Sequence, residues 1–173
     1  MSSTLRAGLA TIIFAIAGLA SFYFEQIWWE PTGIPLAVFY ALLILNTFFS
    51  VRFFSSLLPA DLLQKVIDTV LLAFYLLLAF SMNDEVRFFL IALGLFLVAS
   101  VKYVFLLKHT SYEKILRRKI RVNLVGAAAC GAAWGGVVLG YPLESVWMAV
   151  VAFAIANIHL LLIRPIYVLE QKS

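Results

Sequence analysis

The chain has 173 residues, of which 64% are hydrophobic and only 13% are charged, and its mean hydropathy is +1.03. A soluble globular domain contains about 45–50% apolar and roughly 25% charged residues, so this composition excludes an ordinary soluble domain and indicates an integral membrane protein. The formal net charge of +4 does not indicate nucleic-acid binding, because the basic residues flank apolar segments instead of forming one patch.

The first apolar segment has the basic start and apolar run of a signal peptide, with Arg6 followed by a small-residue site near Ala15 and Ala17. However, the apolar run continues to Phe24, which makes it long enough to span a bilayer. We therefore interpret it as the first transmembrane helix.

Six segments are long and apolar enough to be transmembrane helices. A spanning helix needs about 20 mostly apolar residues, because roughly 30 Å of hydrocarbon is crossed at about 1.5 Å per residue. Turn and capping residues separate the segments, including Asn83 or Asp84 before the fourth and Asp61 with Gln64 at the third. The sequence predicts an all-α, polytopic bundle in one domain (1–173), with helices at about 5–24, 33–53, 62–81, 85–107, 120–140 and 143–164.

The predicted loops alternate in charge. Arg6, the loop 52–65, the loop 108–121 and the tail 164–172 hold most of the Lys and Arg residues, whereas the other turns hold mainly acids. Because basic loops stay on the cytoplasmic side during insertion, this alternation predicts that both termini are cytoplasmic. The expected location is a cell membrane, of the bacterial inner-membrane type.

The basic segment 108–121 has an amphipathic pattern from Tyr112 onward. It is interpreted either as an interfacial helix or as the cytoplasmic extension of helix five, with its cations bound to anionic lipid headgroups. A helix that docks a partner protein is the alternative. The expected headgroup-binding residues are Lys114, Arg117, Arg118 and Arg121.

The fifth predicted helix is rich in small residues at a spacing of four. Small residues let helix backbones approach closely in lipid, so we expect these to pack against another helix, a membrane-protein partner or a second copy of the chain. The alternative is that exposed glycine backbone lines a ligand site. Replacing Gly131 or Gly135 with Leu is expected to force neighbours apart. The expected packing residues are Ala127, Gly131, Gly135, Gly136 and Gly140, with Ala128 and Ala132 on the adjacent ridge.

Polar residues inside the predicted spans lie within a few turns of the cytoplasmic end. Intramembrane charge costs several kcal/mol unless it is paired, hydrated or able to reach the headgroups. One interpretation places these residues around a pocket open to the cytoplasm; in the other, Lys102 reaches the headgroups and Asp68 pairs with Lys65 on its own helix. The candidate substrate-binding residues are Asn46, Ser50, Asp68, Lys102, Asn123 and Asn157.

The sequence contains no recognisable catalytic, metal-binding or cofactor-binding motif. His159 lacks a second His at the spacing that a metal or haem site needs, and His109 is expected to be solvated in a loop. Cys130, the single cysteine, lies among Gly and Ala and is interpreted as a small apolar filler. We expect no catalytic residues, no metal and no cofactor; a protein that is not an enzyme is favoured, while enzymatic activity stays open.

Three function classes remain: a small transporter or membrane solute-binding module, a structural or assembly subunit of a membrane complex, and a lipid-modifying or lipid-moving protein. In helix count, length and small-residue packing the chain resembles the substrate-capture subunits of energy-coupling-factor vitamin importers. That resemblance implies capture from outside, whereas the polar residues here are predicted near the cytoplasm, so we do not assign the chain to that family. A cavity lined by Asn46, Asp68 and Lys102 would favour the first or third class, and a filled bundle the second.

Overall fold

The computed structural model describes residues 2–57, 62–107 and 112–163. Within these ranges the chain forms six α-helices and no β-strand, and each helix is long and apolar enough to cross a membrane. The helices are α1 (Ser3–Phe24), α2 (Gly33–Leu57), α3 (Leu62–Ala79), α4 (Glu85–Leu107), α5 (Glu113–Val138) and α6 (Pro142–Ile158). A 3₁₀ turn (Ile27–Trp29) follows α1, and a π-helical turn (His159–Ile163) extends α6. The prediction of six helices that are long and apolar enough to span a membrane is confirmed, and these helices indicate a multi-pass membrane protein.

The main difference from the predicted boundaries concerns α5, which begins at Glu113 instead of near residue 120. The basic residues of this segment are compatible with a helix because Lys114, Arg117 and Arg121 face outward, while Leu116 is buried. From Glu113 onward the amphipathic segment is therefore an extension of helix five and not a separate interfacial helix. The first part of that segment, 108–111, lies outside the described residues, as does the predicted cap at Asp61.

Local signals explain several helix ends. The Ser2 hydroxyl accepts a hydrogen bond from the Leu5 amide (3.2 Å), and the Asp84 carboxylate accepts one from the Arg87 amide (3.0 Å), which caps α4 as predicted. Gly140 has a φ of +92° just after α5, where a residue without a side chain is favoured, and the chain then turns into Pro142.

The six helices form a closed ring in the order α1, α2, α6, α5, α4 and α3, so that α3 packs against α1. Helices α1, α3 and α5 begin at one end of this ring, and α2 and α4 finish there. We call it the basic end because it carries Arg6, Arg52, Lys65, Lys102 and Lys114. The opposite end is called the acidic end. It carries Glu25, Glu30, Asp84, Glu85 and Glu144.

Aromatic side chains fill the half of the ring nearer the acidic end. The Phe39 ring lies 5.8 Å from that of Phe88, 6.0 Å from that of Phe89 and 4.9 Å from that of Phe153, which joins α2 to α4 and α6. Lipid tails are as apolar as these side chains, so close packing, rather than transfer out of water, holds this half together. This half of the bundle is therefore a tightly packed core.

The glycines of α5 do not all pack as predicted. A Cβ added to Gly136 would lie 2.2 Å from the Ser145 hydroxyl oxygen of α6, so this glycine does permit a close helix contact. By contrast, a Cβ on Gly131 would lie 3.7 Å from Leu93, and one on Gly135 or Gly140 would meet nothing within 4 Å. At Gly135 a side chain therefore finds open space at the Cβ, whereas at Gly131 it already contacts Leu93, and the effect of Leu at either position stays a prediction.

The inward face of α5 is a different stripe, which follows the helical spacing of three and four. Ala127 belongs to this stripe and is buried as predicted, whereas Ala128 and Ala132 are exposed on the outer side of the helix. Contact of that outer side with a partner or a second copy stays a prediction. The buried stripe consists of Leu116, Lys119, Asn123, Ala127, Cys130 and Ala133.

Candidate ligand-binding cavity

The basic half of the ring encloses a cavity of about 340 Å³. Its walls come from α1 to α5, and none of the described residues of α6 lines it. This volume lies at the lower end of the range of pockets that hold small-molecule ligands, roughly 300–1,000 Å³. The polar and charged side chains that line it are Arg6, Asn46, Thr47, Ser50, Ser55, Gln64, Lys65, Asp68, Lys102, Lys119 and Asn123, together with the hydroxyls of Tyr75 and Tyr103.

The lining groups are layered by depth. At about 1.5 Å per residue, Asp68, Lys102 and Lys119 lie roughly 8–9 Å along their helices from the basic end. Asn46 and Asn123 lie roughly 15–17 Å from it by the same measure. The cavity thus has charged groups in an outer layer and uncharged amides further in.

Lys119 is the most deeply buried cation that lines the cavity. It is only 3% exposed and donates a hydrogen bond to the Asn46 Oδ1 at 3.3 Å, which joins α5 to α2 across the ring. Burial of an ammonium is costly and is tolerated where polar groups surround it. Lys119 points into the cavity because it lies on the buried stripe of α5, four residues before Asn123.

Asn123 lines the same cavity one turn deeper and is also 3% exposed. Its Nδ2 has no hydrogen-bond partner among the described residues. A buried donor without a partner costs about 1–3 kcal/mol, which is unusual for a group on a well-packed helix. A ligand with an acceptor atom at this point would satisfy it.

Asp68 and Lys102 form a salt bridge between α3 and α4. The Asp68 side chain is 56% exposed and that of Lys102 is 15% exposed, so the pair lies at the rim of the cavity. The alternative in which Asp68 pairs with Lys65 on its own helix does not describe this structure. Because the carboxylate is so exposed, the pair contributes little stability, about 0–1 kcal/mol, and its main effect is to hold the Lys102 ammonium at the rim.

Hydroxyl groups complete the lining. The Ser50 Oγ and the Tyr103 hydroxyl lie 2.7 Å apart, and Thr47 hydrogen-bonds to the hydroxyl of Tyr75 while donating to the Leu43 carbonyl. Hydroxyls can either donate or accept, so these groups can adapt to a ligand. They link α2 to α4 and to α3 at the wall of the cavity.

Aromatic packing closes the inner end of the cavity. The rings of Phe14 and Tyr75 are stacked with centroids 4.4 Å apart, and this stack joins α1 to α3. Behind it, the buried Tyr40 hydroxyl lies 3.1 Å from the Phe14 carbonyl and 3.3 Å from that of Tyr75. The stack and the aromatic core beyond it separate the cavity from the acidic end.

Five of the six residues proposed from the sequence as substrate-binding line this cavity: Asn46, Ser50, Asp68, Lys102 and Asn123. Asn157 does not, because α6 packs outside the cavity. Asn157 is buried and its Nδ2 donates to the Phe153 carbonyl (2.9 Å). A role in substrate binding stays a prediction for all six residues.

Sequence reasoning missed Lys119, which it counted only among the cations of the loop 108–121. The available signal was its spacing from Leu116, Asn123 and Ala127, which places it on one helical face with them. Once helix five is extended back to Glu113, that face is continuous.

The described cavity lining has an excess of cations, since Arg6, Lys65, Lys102 and Lys119 stand against the single carboxylate of Asp68. With the Asn123 donor, this arrangement is suited to an anionic ligand whose oxygens accept hydrogen bonds. Within the described ranges, no group of three or more His, Cys, Asp or Glu side chains is arranged to hold a metal ion. Comparisons with protein-family models, with curated proteins and with solved structures found no match to this chain.

Proposed function

We propose that this multi-pass protein is a transporter or solute-binding module that takes an anionic ligand into the cavity of the basic half. The observation that supports this most directly is that Lys119 and Asn123, both almost fully buried, line one cavity together with the Lys102–Asp68 pair. A structural subunit needs no such cavity, and unsatisfied or charged groups in its interior would only lower its stability.

The proposed orientation follows from the charges of the two ends. Basic residues are retained in the cytoplasm during insertion, so the basic end, and with it the mouth of the cavity, faces the cytoplasm. Both termini are then cytoplasmic, in a cell membrane of the bacterial inner-membrane type. In this orientation Lys114, Arg117, Arg118 and Arg121 lie where they can contact anionic headgroups of the inner leaflet.

The cavity is proposed to be one state of an alternating cycle or a permanent binding site. It is not an open pore, because the aromatic core closes the path toward the acidic end, and a water-filled path needs polar lining or exposed backbone throughout. Transport would therefore require the Phe14–Tyr75 stack to separate.

A thermal-shift measurement on the purified protein in neutral detergent tests the proposed function. The probes are carboxylates and phosphates that range from acetate and inorganic phosphate to oleate and lysophosphatidic acid. Choline is the cationic control and glycerol the uncharged one. A ligand that binds only the folded protein stabilises it by about 2.7 kcal/mol at 100 times its Kd.

We expect stabilisation by at least one anionic probe, and we expect it to be lost in Lys119→Met. The matched control is Arg117→Gln, which removes an exposed cation of the same helix and should keep the response. Stabilisation by none of the anions, or an equal response in Lys119→Met and the wild type, would contradict the proposed function.

A further inference from the structure

Residues of α1 and α3 line the cavity on one side of the bundle. Of the six neighbouring pairs in the ring, α1 and α3 make the least extensive contact. Their seam is held at the depth of the Phe14–Tyr75 stack. Toward the basic end from that stack, side chains of both helices line the cavity, beginning with Ala10 and Leu72.

Two of the α3 side chains that line the cavity are also exposed. Leu72 is 37% exposed, and Asp68, one turn nearer the basic end on the same face of α3, is 56% exposed at its side chain. The exposure of these lining residues, together with the sparse contact between α1 and α3, points to an opening through the wall at this seam. The opening is bounded above by the aromatic stack and below by Arg6 and Asp68, and we call it the lateral window.

Polarity along the lateral window changes with depth in the same way on both helices. On α1, Arg6 near the basic end is followed at spacings of four by Ala10 and Phe14; on α3, Asp68 is followed by Leu72. A free inorganic ion would leave the apolar part of this surface without a ligand contact. An amphiphile would match both parts, with its charged group at the cations of the cavity and its chain along the apolar wall.

We propose that the ligand is an anionic single-chain lipid, a fatty acid or a lysophospholipid with an exposed phosphate, which moves sideways from the inner leaflet through the lateral window. The inference rests on the proposed function, since the same cavity binds the anion. The headgroup is held by Lys119, Lys102 and the Asn123 amide. The first part of the acyl chain contacts Ala10, Leu71 and Leu72, and the rest of the chain extends through the window into the bilayer.

The choice of a single-chain lipid follows from the size of the cavity. A volume of about 340 Å³ accommodates a headgroup and a short length of chain, whereas a two-chain lipid would have to pass both chains through a seam that the aromatic stack closes above. The choice of an anion follows from the four cations and one carboxylate among the described lining residues. A zwitterionic headgroup would bring its own cation into this surface, which is unfavourable.

The experiment measures binding of radiolabelled oleate and of lysophosphatidic acid to the protein in nanodiscs of neutral phosphatidylcholine. Lysophosphatidylcholine is the zwitterionic control, and acetate and inorganic phosphate are the chain-free competitors. The variant Leu72→Trp narrows the window. Its matched control is Leu77→Trp, because Leu77 lies on the same helix with 46% exposure and does not line the cavity.

We expect at least one acidic lipid to bind, with at least tenfold weaker affinity in Leu72→Trp and no change in Leu77→Trp. Excess acetate or phosphate should compete only weakly. If acetate or phosphate binds as tightly as the acidic lipid, the lipid assignment is wrong while the anion site stands. If no anion binds to a folded, monodisperse sample, both the proposed function and this inference fail. Equal affinity in the two Trp variants would exclude the sideways route.

Discussion

The clearest quantitative consequence of the cavity concerns Asn123. Its Nδ2 is buried without a partner among the described residues, at a cost of about 1–3 kcal/mol. Leu has the same branched shape, so Asn123→Leu removes this cost without overpacking the site. We expect the free energy of unfolding in the absence of ligand to rise by about 1–3 kcal/mol. At about 2–4 °C per kcal/mol for a chain of this size, the midpoint should rise by roughly 2–12 °C.

The same substitution should abolish the stabilisation by the anionic ligand, because the donor has been removed from the cavity. Asn157→Leu is the matched control, since Asn157 is similarly buried but lies outside the cavity; its Nδ2 donates to Phe153, and its Oδ1 has no partner among the described residues. This control should leave the ligand response intact. Thermal unfolding in neutral detergent, with and without ligand, measures both quantities. An Asn123→Leu protein that is less stable than the wild type would show that the Asn123 amide is not an unsatisfied donor, and a full response to the ligand would show that this amide does not bind it.

Three further outcomes follow from the structure. Gly136→Ala should destabilise the α5–α6 contact by about 1–3 kcal/mol, because the new Cβ meets Ser145, whereas Gly135→Ala should be nearly neutral; equal unfolding midpoints for the two would contradict the packing. Asp68→Asn should change stability by less than about 1 kcal/mol but abolish ligand binding or transport by releasing Lys102 from the rim, and wild-type function with normal expression would count against this role. A third set of changes to Gln neutralises exposed cations of α5: Lys114, Arg117 and Arg121. This triple variant should bind anionic lipid more weakly, by about 1 kcal/mol per residue, so that less anionic lipid co-purifies with it. Its binding of the cavity ligand should be unchanged.

The number of helices could be predicted from the sequence because bilayer thickness sets the length of a spanning helix. An apolar run of that length can be recognised without knowing which helices pack against it. The capping role of Asp84 was equally local. The start of α5 could not be predicted in this way, because its cations suggest a solvated loop. The helix is recognised only once Leu116 and Lys119 are known to pack inward while Arg117 and Arg121 face outward. Helix rotation about its axis, which decides this, is set by neighbouring helices.

The candidate site illustrates the same limit. Position along each helix placed Asn46, Asp68 and Lys102 within a few turns of the basic end, and the structure places them around one cavity. Depth alone could not exclude Asn157, which lies near the same level but on a helix that packs outside the cavity. Nor could spacing alone show that Gly136, and not Gly135, contacts α6, because this depends on where Ser145 of the partner helix lies.

The reactivity of a cysteine at position 50 tests whether the cavity is cationic and whether it opens to the cytoplasm. Ser50→Cys, in a Cys130→Ala background, is exposed to methanethiosulfonate reagents that carry either a sulfonate or a trimethylammonium group, in vesicles of each orientation. After correction for intrinsic reactivity, the account predicts modification from the cytoplasmic side only, and faster reaction with the sulfonate reagent. Lys119→Met should remove this preference. Modification from the opposite side, or faster reaction with the cationic reagent, would contradict the account.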